Sequence, residues 1–256
     1  MNIFCGLDIG SLQAKGILLK DGKALSKQVI PTGGNAPETA RKLFQTLLSE
    51  SGIGEEEIKA TVATGYGRIS VPFATKTITE ISCHARGISH FLPQVRTLID
   101  LGGQDSKAIK IEEGKVLDFV MNDRCAAGTG RFLEVMASNF KISPWELGAL
   151  SLKARNQTSI SATCTVFAES EVIGLIARGF PLEEIARGIM SSIAQRIAGM
   201  VNRLGLEEPV GMSGGVAHNP GVVKALEEEL GVKILIPQEP HLIGAWGAAL
   251  LAQENG

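Results

Sequence analysis

Asp8 and Asp100 each stand at the end of an apolar run, and each opens the same pattern. Asp8-Ile9-Gly10-Ser11 lies in register with Asp100-Leu101-Gly102-Gly103. A lysine follows seven residues after each aspartate, at Lys15 and Lys107, and an isoleucine at Ile17 and Ile109. The register holds without a gap as far as Asp21-Gly22 and Glu113-Gly114. The chemistry such a pattern serves is phosphate binding. Glycines at 10, 102 and 103 permit positive φ and a close approach of the backbone to a ligand. Consecutive amide N–H groups in such a turn form an anion nest. An aspartate at the strand end beside it is placed to hold Mg²⁺, directly or through water. One Asp-x-Gly turn is commonplace; two in register, each with its lysine, point to a phosphate ligand.

The elements that must position these groups are strands and hairpins. Ile3 to Leu7 and Thr97 to Ile99 read as buried strands, and Asp-Gly and Glu-Gly turn the second strand of each copy into a third. The repeat resembles the two phosphate loops of the actin, Hsp70 and sugar-kinase superfamily. The fold this implies is α/β, with two ribonuclease-H-like (actin-like ATPase) domains whose mixed sheets are flanked by helices. Residues 1–95 would form the first, completed by a C-terminal helix at 242–256, and residues 96–241 the second. Helices are expected over Pro37–Ser51, Ile78–Phe91 and Leu182–Leu204, the last with Ile185, Ile189, Ile193, Ile197 and Val201 as a core stripe. Strands are expected over Ala60–Gly65, Pro209–Met212 and Val232–Ile236. In the superfamily a Gly-Gly turn after a strand packs under the adenine, and a small-residue segment near the C-terminus connects the domains. Ser213-Gly214-Gly215-Val216 and the segment opening at Gly244 match these in order and spacing.

Composition narrows the class. The chain has 256 residues, 44% hydrophobic and 20% charged, enough for a buried core. A net charge of −2 offers no basic surface for nucleic acid or anionic lipid. The N-terminus has no signal-peptide character, and the longest apolar run, Leu242–Ala252, is shorter than the ~17–25 residues of a spanning helix. A cytoplasmic protein with reduced thiols is expected. Four cysteines do not make a disulfide scaffold. Cys5 falls within the first strand and reads as core, and Cys83-His84 has no third ligand nearby. His84, His90, His218 and His241 are scattered and suggest no triad. Cys125 and Cys164 each precede an expected helix, whose positive dipole end favours a thiolate. Two thiolates without a matching histidine cannot close a zinc site or a cubane. Either they are small buried residues, or they are half of a four-thiolate centre completed by a second subunit across a twofold axis.

Three segments carry a more specific resemblance: Asp100-Leu-Gly-Gly-Gln-Asp-Ser-Lys107, Met121-Asn-Asp-Arg-Cys-Ala-Ala-Gly-Thr-Gly-Arg-Phe-Leu133 and Cys164-Thr-Val-Phe-Ala-Glu-Ser-Glu171. They resemble the 2-hydroxyacyl-CoA dehydratase activator (component A) family, related to the ATPase subunits of benzoyl-CoA reductase and to reductases of double-cubane-cluster proteins. The resemblance implies a homodimer that shares one [4Fe–4S] cluster, with Cys125 and Cys164 of each subunit as ligands. It places Asp8 and Asp100 at the metal-water positions for Mg²⁺. Gly10, Ser11, Gly102 and Gly103 fall in the ATP/ADP phosphate loops, with Lys15 as a further phosphate contact. Gln104 would orient the hydrolytic water. Glu169 fits either the nucleotide or the cysteine loop. The implied activity is ATP-driven, low-potential, one-electron transfer under anaerobic conditions. The donor would be ferredoxin or flavodoxin, and the acceptor an iron–sulfur enzyme, either a 2-hydroxyacyl-CoA dehydratase or a double-cubane cluster protein. Two other classes remain: a sugar-type kinase, with Asp105 as base toward a substrate hydroxyl, and a nucleotide switch of the actin or Hsp70 type.

Overall fold

β1 (Ile3–Ile9) is apolar at every position but Asp8 and is buried along its whole length. A strand of this kind needs cover on both faces, and it receives it. Alternation sends Ile3, Cys5, Leu7 and Ile9 to one face, against Leu43, Phe44 and Leu47 of α1 (Ala36–Ser51). Phe4 goes to the other face, against Trp246, Ala249 and Leu250 of the C-terminal helix α8 (Ile243–Asn255). The computed structural model describes residues 2–122, 125–161 and 164–255. Asp123, Arg124, Ala162 and Thr163, which belong to the two cysteine segments, lie outside the described residues.

The chain divides into two compact units, Met1–Val95 with Ile111–Leu117 and His241–Gly256, and Arg96–Lys110 with Asp118–Pro240. The first sheet contains β1, β2 (Gln13–Lys20), β3 (Lys23–Pro31), β4 (Ile58–Thr64) and β5 (Lys76–Thr77), in the order β3-β2-β1-β4-β5. β1 runs antiparallel to β2 and parallel to β4. The second contains β6 (Thr97–Leu101), β7 (Ser106–Glu112), β8 (Lys115–Asn122), β9 (Val210–Ser213) and β10 (Ile234–Leu235), in the order β10-β9-β6-β7-β8. β6 runs antiparallel to β7 and parallel to β9. Read from the hairpin side, the two orders are the same: these are the two mixed, helix-flanked sheets expected of ribonuclease-H-like domains. The hairpin turns match too: Asp21 and Glu113 both have φ of 49°, followed by Gly22 and Gly114 at 74° and 77°, the φ > 0 pair of a type I′ turn.

The copies differ in what they insert before the fourth strand. The first carries α1. The second carries α3 (Gly130–Phe140), α4 (Pro144–Ser151), α5 (Thr165–Ala177) and α6 (Leu182–Leu204). The α6 stripe at Ile185, Ile189, Ile193, Ile197 and Val201 is buried throughout, in one core with Phe132, Leu133 and Met136 of α3. Local chemistry trims several elements. α2 (Glu80–Phe91) starts two residues later than its apolar pattern suggests, because the Thr79 side chain caps the Ser82 amide. β10 is confined to two residues ahead of Pro237.

α2 and α8 pack backbone to backbone. A Cβ on Gly247 would run into the Cys83 carbonyl, one on Gly87 into the Ile243 carbonyl, and one on Gly6 into the Ala245 carbonyl and the Ala249 amide. The small residues after Gly244 therefore let α8 lie flush on both α2 and β1. Gly247→Ala forces backbone apart in this unit. It should lower stability by about 1–3 kcal/mol, read from the denaturation midpoint in urea.

Candidate functional site

The seven-residue interval between each aspartate and its lysine is cross-strand pairing. In the first sheet Asp8 pairs with Lys15 across β1 and β2; in the second Asp100 pairs with Lys107 across β6 and β7. Lys15 Nζ is 3.6 Å from Asp8 Oδ2, and Lys107 Nζ is 3.2 Å from Asp100 Oδ2. The loops between the strands are matching tight turns. The Gly10 amide donates to the Gln13 carbonyl (3.1 Å), and the Gly102 amide to the Asp105 carbonyl (3.0 Å). Gly10 and Gly102 do not take the positive φ that their sequence context suggests. They are small for another reason: a Cβ on Gly10 would lie 2.8 Å from the Gln13 carbonyl oxygen, and one on Gly102 would collide with the Asp105 carboxylate.

Positive φ is found at Gly65 (84°) and Gly214 (87°), one residue past the ends of β4 and β9. β4 aligns Thr64 with Asp8, and β9 aligns Ser213 with Asp100. A Cβ on Gly65 would be 2.5 Å from Asp8 Oδ1 and 2.6 Å from the Ile9 carbonyl oxygen. One on Gly214 would be 3.0 Å from Asp100 Oδ1 and would collide with the Leu101 carbonyl. Thr64-Gly65 and Ser213-Gly214 are thus the third member of the repeat. Sequence spacing hides them, because four helices separate β8 from β9 where a single α-helix, α1, lies between β3 and β4.

The two aspartates have different surroundings. Asp8 is 5% exposed. Gly244, at the start of α8, lies so close that its Cβ would be 2.8 Å from both Asp8 Oδ2 and the Nε2 of His84, a buried residue on α2. His84 therefore belongs to this site, and nothing in its sequence context singles it out. Asp100 is 2% exposed and is engaged at both oxygens, by Ser213 Oγ (2.8 Å) at Oδ1 and by Lys107 at Oδ2. Lys107, itself buried, also holds Asp105 Oδ2 at 2.8 Å. Asp105, the base a sugar-kinase reading requires, is thereby tied into an ion pair. Ser11 and Gly103 are half-buried and Gln104 is exposed at the tip of the second turn. Gly215 opens a short 3₁₀ turn, Gly215–His218.

The second turn is tied to the cysteine region. The amides of Gly130 and Arg131, the first residues of α3, donate to the carbonyls of Gly102 (2.9 Å) and Gly103 (2.8 Å). Cys125 is half-buried in the loop leading to α3. Thr129 occupies the N-cap position of the helix, so Cys125 does not sit at the dipole end its sequence position suggests. Its thiol instead faces Arg196 of α6, with Nη1 at 3.9 Å. Cys164 is exposed and is the N-cap residue of α5. Neighbours of both cysteines, Ala127 and Gly128 on one side and Ile160 and Ser161 on the other, line one pocket of about 330 Å³ together with Phe132 and Arg196. Glu169 accepts from Asn139 Nδ2 at 3.4 Å, joining α5 to α3. Cys5 and Cys83 are buried, and burial pushes both thiols up, that of Cys83 to about 12. Among the described residues, no group of three or more His, Cys, Asp or Glu side chains is placed to hold a metal ion, and no helix is long and apolar enough to cross a membrane.

Two sheets of one order, each closing its central strand with an aspartate, a tight turn and a paired lysine, define an actin-like ATPase fold. The chain belongs to the BadF/BadG/BcrA/BcrD ATPase family, whose model matches residues 5–252. It is 46% identical over 248 residues to the 2-hydroxyisocaproyl-CoA dehydratase activator of Clostridioides difficile, covering 96% of this chain and 93% of that one. It is also 46% identical over 252 residues to the (R)-2-hydroxyglutaryl-CoA dehydratase activating ATPase of Acidaminococcus fermentans, covering 98% and 96%. The crystal structure of component A from A. fermentans superposes with a TM-score of 0.95 at 44% identity over 100% of this chain and 99% of that one. The C. difficile activator with bound ADPNP gives 0.92 at 45% over 99% and 95%. A ROK family glucokinase from Streptomyces griseus, at 15% identity over 98% of this chain and 99% of that one, gives 0.61, a likeness of fold alone.

Two outcomes follow for the side chains. Lys107→Met leaves Asp100 and Asp105 without their shared cation in a buried setting. It should cost about 3–5 kcal/mol, measured by urea denaturation. Because the thiolate is the reactive form and the thiols raised by burial stay protonated, iodoacetamide at pH 8 should label exposed Cys164 in the folded, iron-free protein. Cys5 and Cys83 should react only after unfolding, as peptide mass mapping would show.

Proposed function

We propose that this protein is an ATP-dependent one-electron activator. It would use ATP hydrolysis to drive low-potential electron transfer from a subunit-bridging [4Fe–4S] cluster to a partner iron–sulfur enzyme, a 2-hydroxyacyl-CoA dehydratase or a double-cubane cluster protein. The observation that carries this reading is the pair of hydrogen bonds from Gly130 and Arg131 to the carbonyls of Gly102 and Gly103. The candidate phosphate turn is bonded to the first residues of α3, the helix that follows the cysteine loop, so a ligand at the turn has a backbone route toward Cys125. The names of the relatives supply the target class: both are activators of 2-hydroxyacyl-CoA dehydratases.

The donor set fits the cluster. Cys5 and Cys83 are buried and protonated, which leaves two accessible thiols per chain, half of what a cubane requires. Beside Cys164, Val166 and Phe167 are 65% and 69% exposed, an apolar surface suited to a second copy of the chain. In the resulting homodimer, Cys125 and Cys164 of each subunit would hold the cluster, which supplies a one-electron couple for a ferredoxin or flavodoxin donor to fill.

On the nucleotide side, the turns Gly10–Gln13 and Gly102–Asp105 present amides to the phosphates of ATP. Asp8 and Asp100 are carboxylate oxygens suited to Mg²⁺ and its waters. Lys15 can pass from Asp8 to a phosphate, and exposed Gln104 is free to orient the attacking water. Gly214 and Gly215 offer backbone without side chains to the base.

The test is anaerobic reconstitution with iron and sulfide. Expected are four iron atoms per dimer, a visible band bleached by dithionite, and ATP hydrolysis. Cys125→Ser and Cys164→Ser should abolish the band while ATP still binds. A dimer that takes up no iron and shows no such band would falsify the reading.

A further inference from the structure

Arg196 is the charged residue on α6 that meets the cysteine loop. Its Nη1 lies 3.9 Å from Cys125 Sγ. The loop is shaped to admit it: Gly128 has φ of 90°, and a Cβ there would be 3.0 Å from Arg196 Cδ, so the arginine stem lies against bare backbone. The backbone that carries this sulfur is tethered, because Asn122 Nδ2 donates to the Cys125 carbonyl at 2.9 Å. Arg196 also lines the pocket shared by both cysteine segments, and the helix that carries it is anchored by the buried stripe of Ile189, Ile193 and Ile197. The guanidinium is therefore a fixed cation beside one ligand sulfur, half-buried, where solvent screens it only in part.

We infer that Arg196 sets the reduction potential of the centre held at Cys125, raising it by placing a guanidinium N–H against the ligand sulfur. The inference rests on the cluster reading above. Reduction adds one electron and so one unit of negative charge. A cation and a hydrogen-bond donor at the sulfur stabilise that form over the oxidised one. The effect favours loading of the electron from the donor and opposes its release, so release to a partner must be driven by nucleotide. The role differs from that of a ligand: Arg196 acts on the potential and leaves the iron count alone.

The experiment is a potentiometric titration of the anaerobically reconstituted protein, followed by visible absorbance and electron paramagnetic resonance, with iron measured in parallel. Arg196→Gln should retain the iron content of the unaltered protein and move the midpoint to a more negative potential. Should the glutamine variant lose iron, Arg196→Lys, which keeps a charge but withdraws the planar fork, is titrated instead, with a shift in the same direction expected. An unchanged midpoint in an iron-loaded variant overturns the inference, and so does loss of iron from both variants while the unaltered protein keeps its own. Absence of iron from the unaltered protein is a different result, and removes the cluster reading itself.

Discussion

The N-terminus of α3 gives its first amides to the turn between β6 and β7. A helix leaves its leading N–H groups without internal partners, and here Gly130 and Arg131 give theirs to the Gly102 and Gly103 carbonyls. That choice fixes three things at once. It ties down two carbonyls of the turn, sets where α3 begins, and limits Cys125 to a loop five residues upstream of the helix. The link between the turn and the start of α3 is backbone to backbone, with no flexible side chain between.

Duplication supplies the frame and insertion supplies the specialisation. Both sheets use one strand order, one aspartate–lysine pair across the central hairpin, and one positive-φ glycine against the aspartate. Asp100 is gripped at both carboxylate oxygens by Ser213 and Lys107, whereas Asp8 has Lys15 at the longer distance of 3.6 Å and the neighbourhood of His84. The second copy is therefore the more rigidly prearranged, and it is also the copy that carries both cysteine segments. Its four inserted helices bury the α6 stripe and α3 in a single core.

The paired turns were legible because their spacing is local: seven residues around a hairpin are the same seven in sequence and in the sheet. The α6 stripe was legible because a helix repeats on itself. Thr64-Gly65 and His84 were not, since they reach Asp8 from the fourth strand and from α2, and no local rule relates those distances. The sequence context of Gly10 and Gly102 suggests a conformational need, but the constraint is crowding by the far side of the same turn. The position of Cys125 suggests a helix-end thiol. Thr129 takes that end, and the charge that faces the sulfur comes from a residue far along the chain.

Cys5 and Cys83 are packed in the first sheet and its covering helix, away from water, with their protons retained. A soft metal binds thiolates, so in the proposed cluster assembly an iron ion arriving at the folded chain would meet two accessible sulfurs instead of four. Burial would then act on the fidelity of metal loading: it would remove the competing intrachain ligand sets in advance and leave one chain unable to finish a four-sulfur centre alone.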